Sequence, residues 1–143
     1  MNPVLLTHAA ATWAMVGVIW TIQLLVYPAM AKVPESGFVA YEEFHQQRVV
    51  WVLAVFAIVE VVAAGALAFS DTGVPSWMWW TGGAILAALW VSTGAFYAPL
   101  HGRLSDGFDA DLHALLVHTN WLRTLGWSAR GVLALLMIRA AAS

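Results

Sequence analysis

Four stretches of this chain are apolar almost without interruption, and the polar residues that do break them recur at helical spacing. The stretches cover about 4–30, 49–69, 77–100 and 115–138. Each reaches or exceeds the roughly 20 residues that a helix needs to cross about 30 Å of hydrocarbon. None alternates apolar with polar residues, and an open sheet would leave its edge groups unsatisfied in lipid. The pattern predicts an all-α membrane protein, one domain over residues 1–143, built as an antiparallel four-transmembrane-helix bundle. "SDTGVPSW", with Gly73 and Pro75 as breakers, is a tight turn between the second and third spans. The two longer connections, 31–48 and 101–112, then fall on one membrane face.

The interrupting residues can be placed by depth. Counting inward from the long-connection face at 1.5 Å per residue, Gln23, Ser92, Thr93 and Arg123 lie at roughly 12 Å, Glu60 at roughly 18 Å and Arg130 at roughly 22 Å. Asn120, Arg123, Trp127 and Arg130 share one helix face, as do Trp20, Gln23 and Tyr27, and Trp90, Thr93 and Tyr97. A charge facing lipid at mid-depth costs at least about 2.5–3.5 kcal/mol, so these faces should turn inward. Glu60 is the only acid inside a span, and it is expected to pair with Arg123 or Arg130. The pair is either a pin for helix packing or part of a site, with the second arginine left for a ligand.

Composition sharpens the class. The chain is 62% hydrophobic and 10% charged, against roughly 45–50% apolar residues in soluble domains. A net charge of -2 gives no reason to expect nucleic acid as a partner. The absence of cysteine excludes disulfides, thiolate metal sites, a cysteine nucleophile and thioether-linked haem. The N-terminal apolar run has no preceding basic residue and is too long for a cleaved signal, so it reads as a retained span. Lys32, Arg48 and Arg103 against Arg139 predict cytoplasmic long connections and external termini. "SWMWW" fits an interfacial aromatic belt. Gly82, Gly83, Ala87 and Gly94 predict close helix approach along the third span. There is no phosphate-binding glycine loop, no Gly-x-Ser-x-Gly elbow, no His-Glu-x-x-His and no lysine inside a span for a Schiff base.

Four of the five histidines gather at the long-connection face. In "YEEFHQQR", Glu42 and His45 have the Glu-x-x-His spacing of di-iron bundles, but the chain has a single such unit. His45, His101 and His118 are candidate ligands for a divalent metal, or two histidines for a haem. His113 and His118, five apart, point to different faces of one helix. His8 reads as a helix-start residue outside the site, and "SDGFDAD" as a solvated turn lacking the calcium-loop ligand order.

The segments "IWTIQLLVYP", "YEEFHQQR", "APLHGRL" and "TNWLRTLGWSARG", with "VE" in the second span, resemble a family of small four-span bacterial integral-membrane proteins of unassigned function. The resemblance covers nearly the whole chain and implies the bacterial inner membrane. More distantly, Pro99 after the third span and Asn120-x-x-Arg123 opening the fourth are similar to the anthrone-oxygenase-like family, which implies oxidation of polycyclic aromatic substrates. Small membrane protoporphyrinogen oxidases share an early helix-1 histidine and a polar start to the second helix, but this chain lacks their basic helix-1 exit.

These readings converge on a membrane-embedded, oxidoreductase-like enzyme acting on a lipophilic carbonyl or quinone-like molecule in one buried polar pocket. Arg123 and Asn120 would hold the substrate oxygen, and His45 or His118 would move the proton. Gln23, Tyr27, Glu60, Thr93, Tyr97 and Arg130 would bind substrate. The partners expected are the bilayer, the small molecule, and a second copy or a larger complex. The alternative is a non-catalytic subunit or a haem- or pigment-binding scaffold, with the nine tryptophans and glycine-marked third helix as packing surfaces.

Overall fold

The computed structural model describes residues 2–142, and those residues form helices and turns with no strand among them. The helices are α1 (Pro3–Met30), α2 (Glu35–Leu67), α3 (Ser76–Leu104) and α4 (Ala110–Ala141). The first three are long and apolar enough to cross a membrane. α4 is as long but does not join them, because Asp111, Arg123, Arg130 and Arg139, with its histidines and Asn120, dilute its hydropathy.

The helices outrun the apolar stretches that announced them. Hydropathy marks where lipid would lie, whereas the backbone ladder continues for as long as the chain supplies helical residues. The expected connection 31–48 shrinks to 31–34, and "YEEFHQQR" becomes helix; 101–112 shrinks to 105–109. Local chemistry sets the starts. The Asn2 side chain accepts the Val4 N–H at 2.8 Å, with Pro3 opening α1. Asp109 accepts the Leu112 N–H at 2.9 Å, so the acidic loop caps α4. Gly73, at φ +70°, takes the left-handed turn before α3.

α1 and α3 each contain one segment that was not anticipated. Ile22–Val26 and Thr93–Tyr97 are π-helical. The Tyr27 N–H reaches back to Ile22 O, and the Ala98 N–H to Thr93 O. Pro28 and Pro99 each come two residues after the end of a segment, and neither has an N–H to donate to the preceding turn. The extra residue in each loop is where the helix absorbs its proline.

Residue numbers rise along α1 as they fall along α4: Trp20 bonds Ser128, Gln23 bonds Asn120, and the Tyr27 carbonyl accepts from His113. The core lies in three levels. Ile22, Tyr27, Met30, Phe38, Tyr97, Leu100, Leu104 and Leu116 fill one end. Met15, Val16, Ile19, Leu86, Leu89 and Trp127 fill the middle, and Leu5, Leu67, Leu133 and Met137 the other end. α2 presents Trp51, Val55, Ile58 and Val62 outward, as lipid would require.

The closest helix approaches are on α4, and the expected glycine face of α3 contributes little. Gly83 and Gly94 have open space where a Cβ would stand, and only Gly82 has neighbours within 4 Å. A Cβ on Gly126 would sit 2.9 Å from Leu89 Cδ2, and one on Gly131 3.1 Å from Val16 Cγ2. Gly126→Val is therefore expected to destabilise by about 1–3 kcal/mol, with Gly83→Ala neutral or stabilising by up to about 1 kcal/mol. Thermal unfolding in detergent distinguishes the two, and equal responses would remove α4 as the close-packed helix.

Candidate functional site

The predicted polar residues form two clusters at different depths, where one shared pocket was expected. In the deeper cluster Glu60 meets Arg130 and not Arg123. Glu60 Oε1 accepts from Arg130 Nη2 at 2.8 Å, Arg130 Nε at 3.1 Å and the Thr12 hydroxyl at 2.8 Å. Arg130 Nη1 donates to the Gly82 carbonyl, and Nη2 lies 3.2 Å from His8 Nε2. Glu60, Arg130, His8 and Thr12 are all buried. The cavity beside them measures about 10 Å³, scarcely the space of one water. Glu60 and Arg130, expected to bind substrate, thus lie in a tightly packed part of the bundle, apart from the larger cavity. His8, read as a helix-start residue, is a member of the cluster; so is Thr12, which the sequence reading passed over.

Trp127 separates the two clusters. It lies one helical turn from Arg130 and one from Arg123, packed with Met15, Ile19, Leu86 and Leu89. Above this apolar layer the second cluster opens toward the α1–α2 and α3–α4 turns. Arg123 Nη1 donates to Asn120 Oδ1 at 3.1 Å, Asn120 Nδ2 donates to Gln23 Oε1 at 2.7 Å, and Gln23 Nε2 donates to Val117 O at 3.2 Å. Gln23 lies in the π-helical segment of α1. The Arg123 guanidinium stands 4.6 Å over the Tyr97 ring, whose hydroxyl donates to Thr119 O at 2.8 Å. Among the described residues no carboxylate lies within ion-pair distance of Arg123.

Beside it runs a three-membered relay. Glu42, fully buried, has Oε1 at 2.6 Å from His101 Nδ1. His101 Nε2 lies 3.0 Å from the Tyr27 hydroxyl. A carboxylate only accepts, so with Glu42 ionised the imidazole proton sits on Nδ1 and Nε2 accepts from Tyr27. Gln46 holds the end of α3 in place, donating to Ser105 Oγ at 2.5 Å and His101 O at 3.3 Å. The His45 ring stands 5.5 Å from that of His101 and 6.4 Å from that of Tyr27. A cavity of about 130 Å³ is enclosed by Tyr27, His45, Gln46, Thr93, Tyr97, His101 and Arg123, with apolar side chains from α1 and α2.

Several expected members fall outside this arrangement. His118 is exposed on α4, turned away by the five-residue spacing that buries His113. It stands apart from His45 and His101 and does not line the cavity. No group of three metal-binding side chains occurs among the described residues. The His45 and His101 rings touch one another, which leaves no slot for a porphyrin between them. Trp20, expected on the inward face with Gln23 and Tyr27, lies half out, its indole N–H donating to Ser128 Oγ at 3.0 Å. Glu42 and Gln46 were underweighted, although Phe38, Glu42, His45, Gln46 and Val49 recur at the spacing of a buried helix stripe.

No protein-family model, curated protein or solved structure matches this chain. The site therefore has to be interpreted from its own geometry.

Removing one partner of the deep pair strands the other charge, which typically costs about 3–5 kcal/mol, whereas replacing both with apolar residues is close to neutral. Glu60→Ala and Arg130→Ala are each expected to lower stability by that amount, and Glu60→Leu with Arg130→Met to recover most of it. A double-mutant cycle by thermal unfolding checks this, and additive losses would remove the coupling.

Proposed function

We propose that the chain is a membrane-embedded, oxidoreductase-like enzyme acting on a lipophilic carbonyl or quinone-like molecule. In this reading all four helices cross the bilayer as an antiparallel bundle. The first three shield the arginine-bearing face of α4 from lipid. Lys32, Arg48 and Arg103 mark the cytoplasmic side, and Arg139 the other.

The observation that carries the proposal is Arg123: buried, without a carboxylate partner, and lining a cavity together with the Tyr27 hydroxyl. A buried cation seeks a compensating negative or dipolar group. A carbonyl oxygen is such a group, and it becomes a better one as it gains electrons. Arg123, steadied by Asn120 and Gln23, would stabilise that oxygen as negative charge develops. Tyr27 would deliver the proton and recover one through His101, with Glu42 holding the imidazole and stabilising its charged form. The chain supplies the proton side of the reaction; a separate reduced donor supplies the electrons. His118 has no part in this scheme, and His45 serves as a wall of the cavity. Of the layout Pro99, Asn120 and Arg123 that suggested the anthrone-oxygenase-like family, Arg123 lines the cavity and Asn120 steadies it, while Pro99 lies exposed.

The test uses 1,4-benzoquinone as probe on the full chain in lipid nanodiscs. Calorimetry is expected to detect binding by the wild type and a loss of at least tenfold in Arg123→Leu. Tyr27→Phe is expected to keep binding and to slow quinone reduction by roughly 10²–10⁴-fold in membranes supplied with reduced nicotinamide. A wild-type chain that binds no quinone would end the proposal.

A further inference from the structure

A groove of about 610 Å³ runs along the outside of α1 and α2, lined among others by Ala14, Gly17, Ile22, His45, Val49 and Phe56. Three of its lining residues, Ile22, His45 and Val49, also line the 130 Å³ cavity. The two volumes therefore adjoin across those side chains. The cavity lies at the level of Tyr27 and His101, while the groove continues along α1 past Gly17 and Ala14 toward the middle of the helix. Its floor at Gly17 is open: a Cβ placed there would meet nothing within 4 Å.

We infer that the substrate is a single-ring headgroup bearing a hydrocarbon tail, the ring held in the cavity and the tail laid in the α1–α2 groove. The inference rests on the function proposed above and narrows its substrate class. A volume of 130 Å³ is close to the engineered cavity of about 150 Å³ that takes a benzene. It admits one six-membered ring and excludes the fused polycycles that the resemblance to anthrone oxygenases implied. The groove is walled almost wholly by apolar side chains, with Tyr41, His45 and Arg48 at the end nearest the α1–α2 turn. A tail running from the cavity toward Gly17 and Phe56 would thus point toward the bilayer centre, with its polar head nearer the interface. That is the orientation an amphiphile already has in a leaflet, so the ligand enters sideways without leaving the membrane.

The physics dictates which measurement tells. A tail moving from lipid into the groove gains little hydrophobic free energy, since acyl chains are as apolar as the groove wall. Tail length alone is therefore a poor readout, and blocking the groove is a good one. Gly17→Trp fills it from a position where the added side chain meets no protein atom at its base. The probes are 1,4-benzoquinone and the same ring carrying a decyl tail, titrated calorimetrically in nanodiscs. In Gly17→Trp the tailed probe is expected to bind at least tenfold more weakly than in the wild type, and the bare ring to bind within twofold. Gly17→Leu should give the same ordering with a smaller loss. If both probes bind the Gly17 variants as they bind the wild type, the tail leaves elsewhere, or the groove holds an ordinary lipid chain, and the inference falls while the cavity reading stands. Loss of both probes in both variants also counts against it. A wild-type chain that binds neither probe overturns the proposed function itself.

Discussion

An arginine cannot sit in the middle of a low-dielectric bundle unless something on every side answers its charge, and Arg130 is answered by each of the other three helices. Glu60 comes from α2, Thr12 orients Glu60 from α1, His8 approaches from the start of α1, and the Gly82 carbonyl comes from α3. Arg130 touches each neighbouring helix through a polar contact. The position of α4, the least apolar of the four helices, follows from this. Its polar face has to be enclosed, and the other three supply the enclosure.

The two arginines of α4 show how environment divides like residues between unlike tasks. Seven residues apart, they lie on the same face, yet Arg130 closes on a carboxylate and Arg123 does not. Trp127 stands between them with a layer of Met, Ile and Leu, so neither cluster can share its partner with the other. Below this layer the charges cancel and no space remains. Above it Arg123 has no carboxylate within ion-pair distance, the buried Glu42 bonds His101 instead, and a cavity opens between them. Burial is common to both clusters; direct pairing of the charges and the space beside them separate the two.

Much of this was legible in the residues. The scarcity of charge made the few ionic positions informative, and their common helix faces predicted an inward orientation that Asn120, Arg123, Trp127 and Arg130 adopt. The choice of partner for Glu60 was not legible, because depth counts along separate helices cannot resolve one turn from the next. His8 was misread because its neighbours in sequence are alanines and threonines, and the guanidinium it approaches is 122 residues away. Glu42 and His101 came from opposite sides of supposed loops. Once those loops proved to be helix, the two side chains were set rigidly enough to meet at 2.6 Å. The division into two clusters had no sequence signature beyond Trp127 itself, which reads equally well as an ordinary core residue.

The paired π-helical segments before Pro28 and Pro99 carry a consequence for how this chain can vary. Each adds a residue to one helical turn and so resets the angular phase of everything after it, by about 100° per residue. Tyr27, the first residue after its segment, and Tyr97, the last residue of its own, both point inward once that reset has been made. A lineage that lost a single codon from either segment would keep its hydropathy profile, its spans and its prolines unchanged. It would also turn the π segment back into an ordinary α turn and leave the tyrosine in phase, whereas the same loss elsewhere in the helix before it would rotate the tyrosine out of the cavity. Two such chains would be hard to tell apart by composition, and only one would retain the geometry described above.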